Sequence, residues 1–432
     1  MTFADAKTIY QKFREHPGIS TDSRRITSGS LFFCLQGANF NGNHFARQAL
    51  EQGAAFAVID EAAYSTHPGC ILVKDVLETL QEIARIHRRR FNIPVIAITG
   101  TNGKTTTKEL IHVVLSREFR TIATQGNLNN HIGVPLTLLT LKHDTQIAII
   151  EMGANHRGEI DQLCRIAEPN HGIITNIGKA HLEGFGGYEG VISTKTELYR
   201  FIASVHGKLF IDKDNPLLTG NAAGCSIVTY GSPRADLELI SSSAKPYVEM
   251  QIRQGKKNLR TLHTRLYGGY NTKNILAAAC IGRYFGVPAA AIVQAIESYE
   301  PANNRSQIIR TEANLLVMDA YNANPSSMEA AINTFAEADY ENKTVILGDM
   351  LELGDETDHE HTKVMELLAG KKFREVYLVG PVFTRLNTRR ENICFNDSEL
   401  ASLWFEHSKP TGSTILIKGS RGIKLENLLK DL

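Results

Sequence analysis

Short apolar runs rich in β-branched residues recur along this chain, and most are followed by segments whose apolar residues return every three or four positions. IPVIAIT (93–99) reads as a buried strand, and behind it Leu110, Ile111, Val114, Leu115 and Phe119 fall at helical spacing. QIAIIEMGAN (146–155) and the start of HGIITNIGKAHLEGFGG (171–187) predict two further strands. Residues 208–265 read as more strands with turns, and NTKNILAAACIGRYFGV (271–287) as a helix. From about residue 301 the alternation resumes: NLLVMDA before SSMEAAINTFAEA, KTVILGDM before DHEHTKVMELLAG, EVYLVG before ELASLWFEHS, and STILIKGS last. Ahead of residue 90, GSLFFCLQG, AAFAVID and CILVKD predict strands, with helices at HFARQALEQG and VLETLQEIARIHRRRF. The second helix closes on Arg88, Arg89 and Arg90, which read as a solvated helix end favoured by the helix dipole.

Repeated strand–helix units imply an α/β fold with mostly parallel sheets and helices on both faces. Three blocks follow: 1–90, 91–300 and 301–432. A length of 432 residues accommodates about three domains. The third block lacks a G-x-G-x-x-G fingerprint, so pattern alone places no dinucleotide there. Composition adds exclusions. With 42% apolar residues, 22% charged residues and a net charge of +1, neither nucleic acid nor a membrane surface is an expected partner. The six cysteines form no C-x-x-C pair, which argues for free thiols in a reducing compartment. The opening MTFADAKTIYQKF lacks the apolar core of a signal peptide, and no apolar run approaches a membrane span. A cytoplasmic protein is expected.

The chemistry gathers at AITGTNGKTTTKEL (97–110). A P-loop has a glycine five positions before its Gly-Lys-Thr, but here that position is Ile98 and the nearest earlier glycine is Gly100. Strand, glycine loop and helix in succession still aim backbone N–H groups and a helix dipole at phosphate. Gly100 and Gly103 would admit the phosphates closely, Lys104 would meet the β/γ-phosphates, and Thr105 would offer its hydroxyl to Mg²⁺. The alternative is a surface turn with a solvated lysine. Glu151, at a neighbouring strand end, is a natural Mg²⁺ ligand, and the loop after the next strand carries Asn176, His181 and Glu183. Residue types and spacing thus lead to a magnesium–nucleotide enzyme.

GTNGKTT, QGNLNNHIGVPLT, EMGANHRGEI, TNIGKAHLEGFGG, NRSQ, DAYNANPSSMEAAI, GDMLELG and KGSRGIKLE occur here in the order found in the Mur ligases, and the chain resembles that family from STDSR (20–24) to KGSRG. The resemblance implies a small N-terminal α/β UDP-binding domain, a central P-loop ATPase domain and a C-terminal Rossmann-like domain that closes over the site. It implies ATP and Mg²⁺ as cofactors and an acyl-phosphate route to an amide. DAYNANP points to UDP-N-acetylmuramoyl-tripeptide and D-alanyl-D-alanine as substrates, rather than those of the preceding ligase, and a monomer is expected.

Residue by residue, the resemblance places Thr21, Asp22, Ser23 and Arg24, with Asn39 and Asn43, at the UDP end of the substrate. Asn127, Asn129 and Asn130 would face the substrate and the γ-phosphate, with Asn129 catalytic. Gly100, Thr101, Asn102, Gly103, Lys104, Thr105 and Thr106 would bind ATP, Asn271 and Asn274 its adenine, and Arg305 and Asp319 the nucleotide after closure. Glu151 and His181 would hold a second magnesium, with Lys195 as a carbamate, and Tyr321, Asn322 and Asn324 would meet the dipeptide. Read without the resemblance, residues 127–130 are a turn, Asp22 and Ser23 a local cap, Lys195 a solvated helix lysine, and Asn271 and Asn274 a helix cap. Tyr270, Asn304 and Thr196 depart from the family pattern, which has a histidine, a glycine and a small residue at those positions. Folylpolyglutamate synthetase shares the central logic but has no need of STDSR and GANFNGNHF; a non-catalytic P-loop switch would form no amide.

Overall fold

The computed structural model describes residues 3–254, 257–258, 261–301, 305–388 and 392–432, so Asn304 lies outside the described residues. It forms two compact units: one of Met1–Ala97, Arg120–Gly153 and Asp161–Asn170, the other of Ile98–Phe119, Ala154–Ile160 and His171–Leu432. The chain passes between them within the buried strand Val95–Thr99.

In the first unit four short parallel strands, Ile19–Ser20, Leu31–Phe33, Phe56–Ile59 and Cys70–Leu72, lie side by side in chain order. Phe32, Ala46, Ala49, Ala57 and Ile59 close the core beside them. The opening segment, to which the apolar pattern assigned no element, is a helix, Ala6–Glu15. Asp5 caps it by accepting from the Thr8 N–H at 2.9 Å, and Ile9, Tyr10 and Phe13 are buried. Asp75 caps the helix Val76–Arg88 in the same way.

The basic end of that second helix differs from its sequence reading. Arg88 is buried, and its guanidinium donates to the carbonyl oxygens of Ala167 (3.0 Å), Phe91 (2.7 Å) and Glu168 (3.2 Å). Arg89 pairs with the Glu168 carboxylate at 2.6 Å. Arg89 and Arg90 stay exposed, and the Arg90 guanidinium lies 6.0 Å from the Tyr10 ring centre. At Arg88 a planar fork with five donors satisfies three carbonyls at once.

In the second unit the parallel strands His171–Ile174, Lys208–Asp212, Ser226–Gly231 and Leu237–Ala244 adjoin in order. Tyr247–Gln254 then pairs antiparallel with Leu237–Ala244 and with Leu262–Tyr267. The helix Lys104–Leu115 stops short of Phe119, which packs its ring near Phe285 instead. It lies against the helix Asn271–Tyr284 so closely that a Cβ on Gly282 would come within 2.4 Å of Val114. The helices Glu197–Ser204 and Ala289–Glu297 were not anticipated, and of Tyr188–Lys195 only the helical setting of Lys195 was.

The C-terminal part is a six-stranded sheet in the order Gln307–Arg310, Leu315–Asp319, Thr414–Lys418, Lys343–Gly348, Glu375–Val379, Ile393–Phe395. It is parallel except for its first pair. Alternate residues of the central strands feed two cores, Val317, Val345, Leu347 and Leu416 on one face and Leu316, Ile346, Ile415 and Ile417 on the other. Among the described residues no helix is long and apolar enough to cross a membrane.

Arg88→Ala strands carbonyl groups in a closed space and is expected to lower the unfolding free energy by about 2–3 kcal/mol, whereas Arg90→Ala stays within about 0.5 kcal/mol. Urea denaturation of the two variants checks this; equal effects would restore the solvated reading.

Candidate functional site

The phosphate-type loop takes its shape from two glycines and one asparagine. Gly100 has φ +141°, and a Cβ there would lie 2.1 Å from the Thr175 hydroxyl; at Gly103, φ +76°, it would lie 2.6 Å from the Asn274 amide oxygen. Asn176 grips the backbone of Asn102 on both sides of its Cα, accepting from its N–H at 3.0 Å and donating to its carbonyl at 2.9 Å. Thr175 donates to that carbonyl as well, at 2.6 Å. No side chain caps the helix that begins at Lys104. The Lys104 ammonium folds over the loop and donates to the carbonyls of Gly100 (2.8 Å) and Thr101 (3.0 Å), while Thr105 is buried and Thr106 half-buried on the first turn. A cation, a helix N-terminus and a tight loop at one point form an anion site of the polyphosphate kind.

Residues from 324 to 360 contact this loop at Asn102 and the neighbouring loop at Lys179 and His181. Asn324 and Asn102 join their side-chain amides, with Asn324 donating at 2.8 Å. Ser326 accepts from the Lys179 N–H at 3.1 Å, and Lys179 pairs with Glu360 at 2.9 Å. His181 Nδ1 meets the Glu352 carboxylate. Both partners of that contact have left-handed backbone, φ +51° and +64°, a costly conformation for side-chain-bearing residues that the surrounding contacts must hold. Burial keeps the His181 ring below the usual histidine range, against the opposing pull of Glu352.

Lys195 overturns its reading as a solvated lysine. It is 2% exposed, with its amine 5.4 Å from the Phe185 ring centre. Burial, then the nearby Lys104 charge, push its pKa well below the ordinary lysine value, while Glu159 and Glu197 oppose. The amine is therefore held toward its neutral, nucleophilic form. Thr196, half of whose pattern departure is now explicable, bonds back to the Ile192 carbonyl at 2.8 Å as an ordinary helix threonine.

Asn271 and Asn274 are buried and do not cap their helix. Thr107 donates to Asn274, Asn274 to Asn271, and Asn271 to the Tyr267 carbonyl at 3.1, 2.9 and 2.8 Å, a chain that fixes the two helices together under Gly103. The Tyr270 hydroxyl bonds Ser306 at 2.8 Å, and burial raises its pKa strongly. Beside it the Arg305 guanidinium lies 3.5 Å from the Tyr321 ring centre. Asp319 takes an ion pair from buried Lys418 at 2.6 Å, and Lys418 also reaches the Asn322 carbonyl at 3.3 Å.

The remaining candidates belong to the other unit. Glu151 is 1% exposed at the end of the strand Ile147–Glu151 and accepts from Asn129 Nδ2 at 2.8 Å. Asn130 caps the helix Gly133–Leu138 by accepting from Ile132 and Gly133, so the turn reading holds for it, and Asn127 is exposed. Asp22 closes a local turn and binds Arg24 through both carboxylate oxygens, which holds its pKa far below the usual range. Thr21 and Ser23 are half-buried beside it, and Asn39 is exposed. Asn43 is buried, its amide engaged with Asn41 and Asp60 at 2.9 and 2.8 Å.

Three family models match the chain: "Mur ligase family, catalytic domain" over residues 16–97, "Mur ligase middle domain" over 98–282, and "Mur ligase, glutamate ligase domain" over 304–421. The chain belongs to the Mur ligase family. It is 36% identical over 428 residues to the Bacillus subtilis protein named UDP-N-acetylmuramoyl-tripeptide--D-alanyl-D-alanine ligase, covering 96% of this chain and 93% of that one. Crystal structure I of MurF from Acinetobacter baumannii aligns with a TM-score of 0.87 at 30% identity, over 100% of this chain and 99% of that one. The MurF ligase from Thermotoga maritima in complex with ADP aligns at 0.84 and 25% identity, over 96% of each.

In this Mur ligase the three-domain α/β architecture expected from sequence is present. Sequence reasoning assigned no role to Thr175, Ser326, Glu352, Ser420 or Arg421. Glu352, Ser420 and Arg421 stand inside GDMLELG and KGSRG, so the motifs themselves were the available signal.

Gly100→Ala in this Mur ligase pays for both a disfavoured φ and an overlap with Thr175, whereas Gly126 (φ +54°) has open space where a Cβ would go. Gly100→Ala is expected to lower stability by about 2 kcal/mol more than Gly126→Ala. Thermal unfolding of the pair measures it, and equal losses would mean the loop is not held by this contact.

Proposed function

We propose that this chain is an ATP-dependent ligase that joins D-alanyl-D-alanine to UDP-N-acetylmuramoyl-tripeptide, releasing ADP and phosphate, in the cytoplasmic synthesis of peptidoglycan precursors. The observation that carries the reading is the junction of Asn102 in the phosphate loop with Asn324 of DAYNANP, which puts phosphate chemistry and acceptor chemistry side by side. Likeness to ligases of that name along 96% of the chain supports the choice of substrates.

The mechanism follows from charge. ATP and the tripeptide carboxylate repel until Lys104 and the loop N–H groups neutralise the phosphates. The carboxylate oxygen attacks the γ-phosphorus in line, the bond to ADP breaks, and an acyl phosphate forms. The neutral amine of the dipeptide adds to the acyl carbon; the tetrahedral species loses a proton and expels phosphate, leaving the amide. No protein nucleophile is required. Closure of residues 301–432 over the loop would exclude water from the acyl phosphate.

The donor chemistry fits magnesium. Thr105, His181 and Lys195 as its carbamate would hold Mg²⁺, with Glu151 included on sequence grounds, and a bound ion supplies positive charge to the triphosphate oxygens. A lysine ammonium would repel such an ion. A neutral amine instead takes up CO₂, forming an N–C bond and releasing a proton, and the depressed pKa of Lys195 favours that form. The neutral fraction grows as pH rises through the folded pKa, so the carbamate and the activity depending on it fall away on the acid side. Arg305, Asp319, Asn271 and Asn274 are proposed for the nucleotide, Thr21–Arg24, Asn39, Asn43, Asn127 and Asn130 for the sugar-peptide, and Tyr321, Asn322 and Asn324 for the dipeptide. The domain boundaries 1–90, 91–300 and 301–432 belong to the same proposal.

ADP release assayed with UDP-N-acetylmuramoyl-tripeptide, folate or neither, each with and without D-alanyl-D-alanine, is expected only for the first with dipeptide. Lys104→Ala should abolish ligation with the fold intact; near-normal turnover would sink the phosphate-loop assignment.

Lys195→Ala should lose most activity, with part restored by acetate. Protein equilibrated with ¹³C-bicarbonate should show a carbamate carbon resonance absent from Lys195→Ala, and identical spectra would remove the carbamate from the scheme.

A further inference from the structure

The buried hydroxyl of Ser420 ties three segments together. It donates to the Ala323 carbonyl at 3.3 Å and accepts from the Leu351 N–H at 3.0 Å, while the Ser420 N–H reaches the Asp349 carbonyl at 3.2 Å. The next residue, Arg421, is thereby held on the segment 321–324. Its guanidinium lies 5.4 Å from the Tyr321 ring centre, within cation–π range. Arg421 is exposed, and among the described residues it forms no ion pair with a carboxylate. The other cation of the strand end, Lys418, is already engaged by Asp319 and the Asn322 carbonyl. Residues 320–324 themselves carry no charge.

We propose that Arg421 binds the C-terminal carboxylate of the incoming dipeptide. This rests on the ligase reading above and names the anchor for its second substrate. The dipeptide has two unlike ends. Its amine must be neutral to attack, but its carboxylate stays anionic throughout and lies about 7 Å away in an extended chain. An unanchored carboxylate would leave the amine free to swing, whereas one held in a bidentate guanidinium fork fixes distance and direction together. A cation–π contact with Tyr321 at 5.4 Å does not use up the guanidinium N–H groups of Arg421, which stay available for such a pair. Arg305, closer to the same ring, is assigned to the nucleotide, so the two guanidinium groups divide two anions between them.

The test compares D-alanyl-D-alanine with D-alanyl-D-alaninamide, which lacks the negative charge, on the full-length wild type, Arg421→Lys and Arg421→Met. Wild type should use the amide about 10- to 100-fold less efficiently, as expected for a lost charged hydrogen bond. Arg421→Met should lose a similar factor on the acid, chiefly in KM, with the amide and the KM values for ATP and the UDP substrate little changed. Arg421→Lys should fall between. Equal loss on acid and amide, or a wild type indifferent to the carboxylate, overturns the proposal. If Arg421→Met fails to fold, the wild-type acid-to-amide ratio and Arg421→Lys still decide. A wild type that releases no ADP with either acceptor and the UDP substrate defeats the ligase reading itself, before Arg421 is in question.

Discussion

The grip of Asn176 on the backbone of Asn102 is the constraint around which the site is arranged. One side-chain amide accepts from the N–H and donates to the C=O of the same residue, so the two peptide groups that flank the Asn102 Cα are held relative to one another. Their fixed orientation sets where the Asn102 side chain points, and hence its junction with Asn324. It also fixes the crowding at Gly100, where Thr175 leaves no room for a Cβ. The loop is two residues shorter between its glycines than the usual P-loop spacing, and contacts from Thr175 and Asn176 at the neighbouring strand end hold it.

Electrostatics sets the second condition. Lys104 and Lys195 influence one another, and only Lys104 has carbonyl oxygens close enough to stabilise a full ammonium. The dry position falls to Lys195, whose charged form is disfavoured by burial and by its neighbour. Two lysines of one chemical type thus sit in opposite surroundings, one among carbonyl oxygens and the other in a dry position that favours its neutral amine.

The alternating apolar runs made the strands and most long helices legible, because buried parallel strands need continuous apolar runs and their helices need a periodic face. The bounds of the helix Tyr188–Lys195 escaped because its buried positions, Gly190, Val191, Thr194 and Lys195, include a single large apolar residue, so no periodic apolar face marks it. Arg88 and Lys195 were misread for a related reason. Composition assigns long cations to solvent, and only tertiary structure brings carbonyl oxygens to one and an aromatic ring to the other. The tight loop was legible in Gly100 and Gly103, both of which have positive φ, whereas the proposed roles of Lys104 and Thr105 toward phosphate rest on the residue types in that order. Asn43 and Asn274 show where motif matching is silent: both match family positions, yet their amides are engaged within the protein.

The resting posture of Lys104 has a consequence for selectivity. Its ammonium is solvated by two backbone carbonyls of its own loop, so it arrives at any ligand already satisfied. A neutral molecule entering the loop offers dipoles no better than those carbonyls and gives the lysine no reason to leave them. A polyphosphate offers full negative charge and wins the exchange by the difference between ion–ion and ion–dipole attraction. In the proposed role the loop would discriminate by charge before shape is consulted, with its lysine as a threshold that weakly charged ligands do not cross.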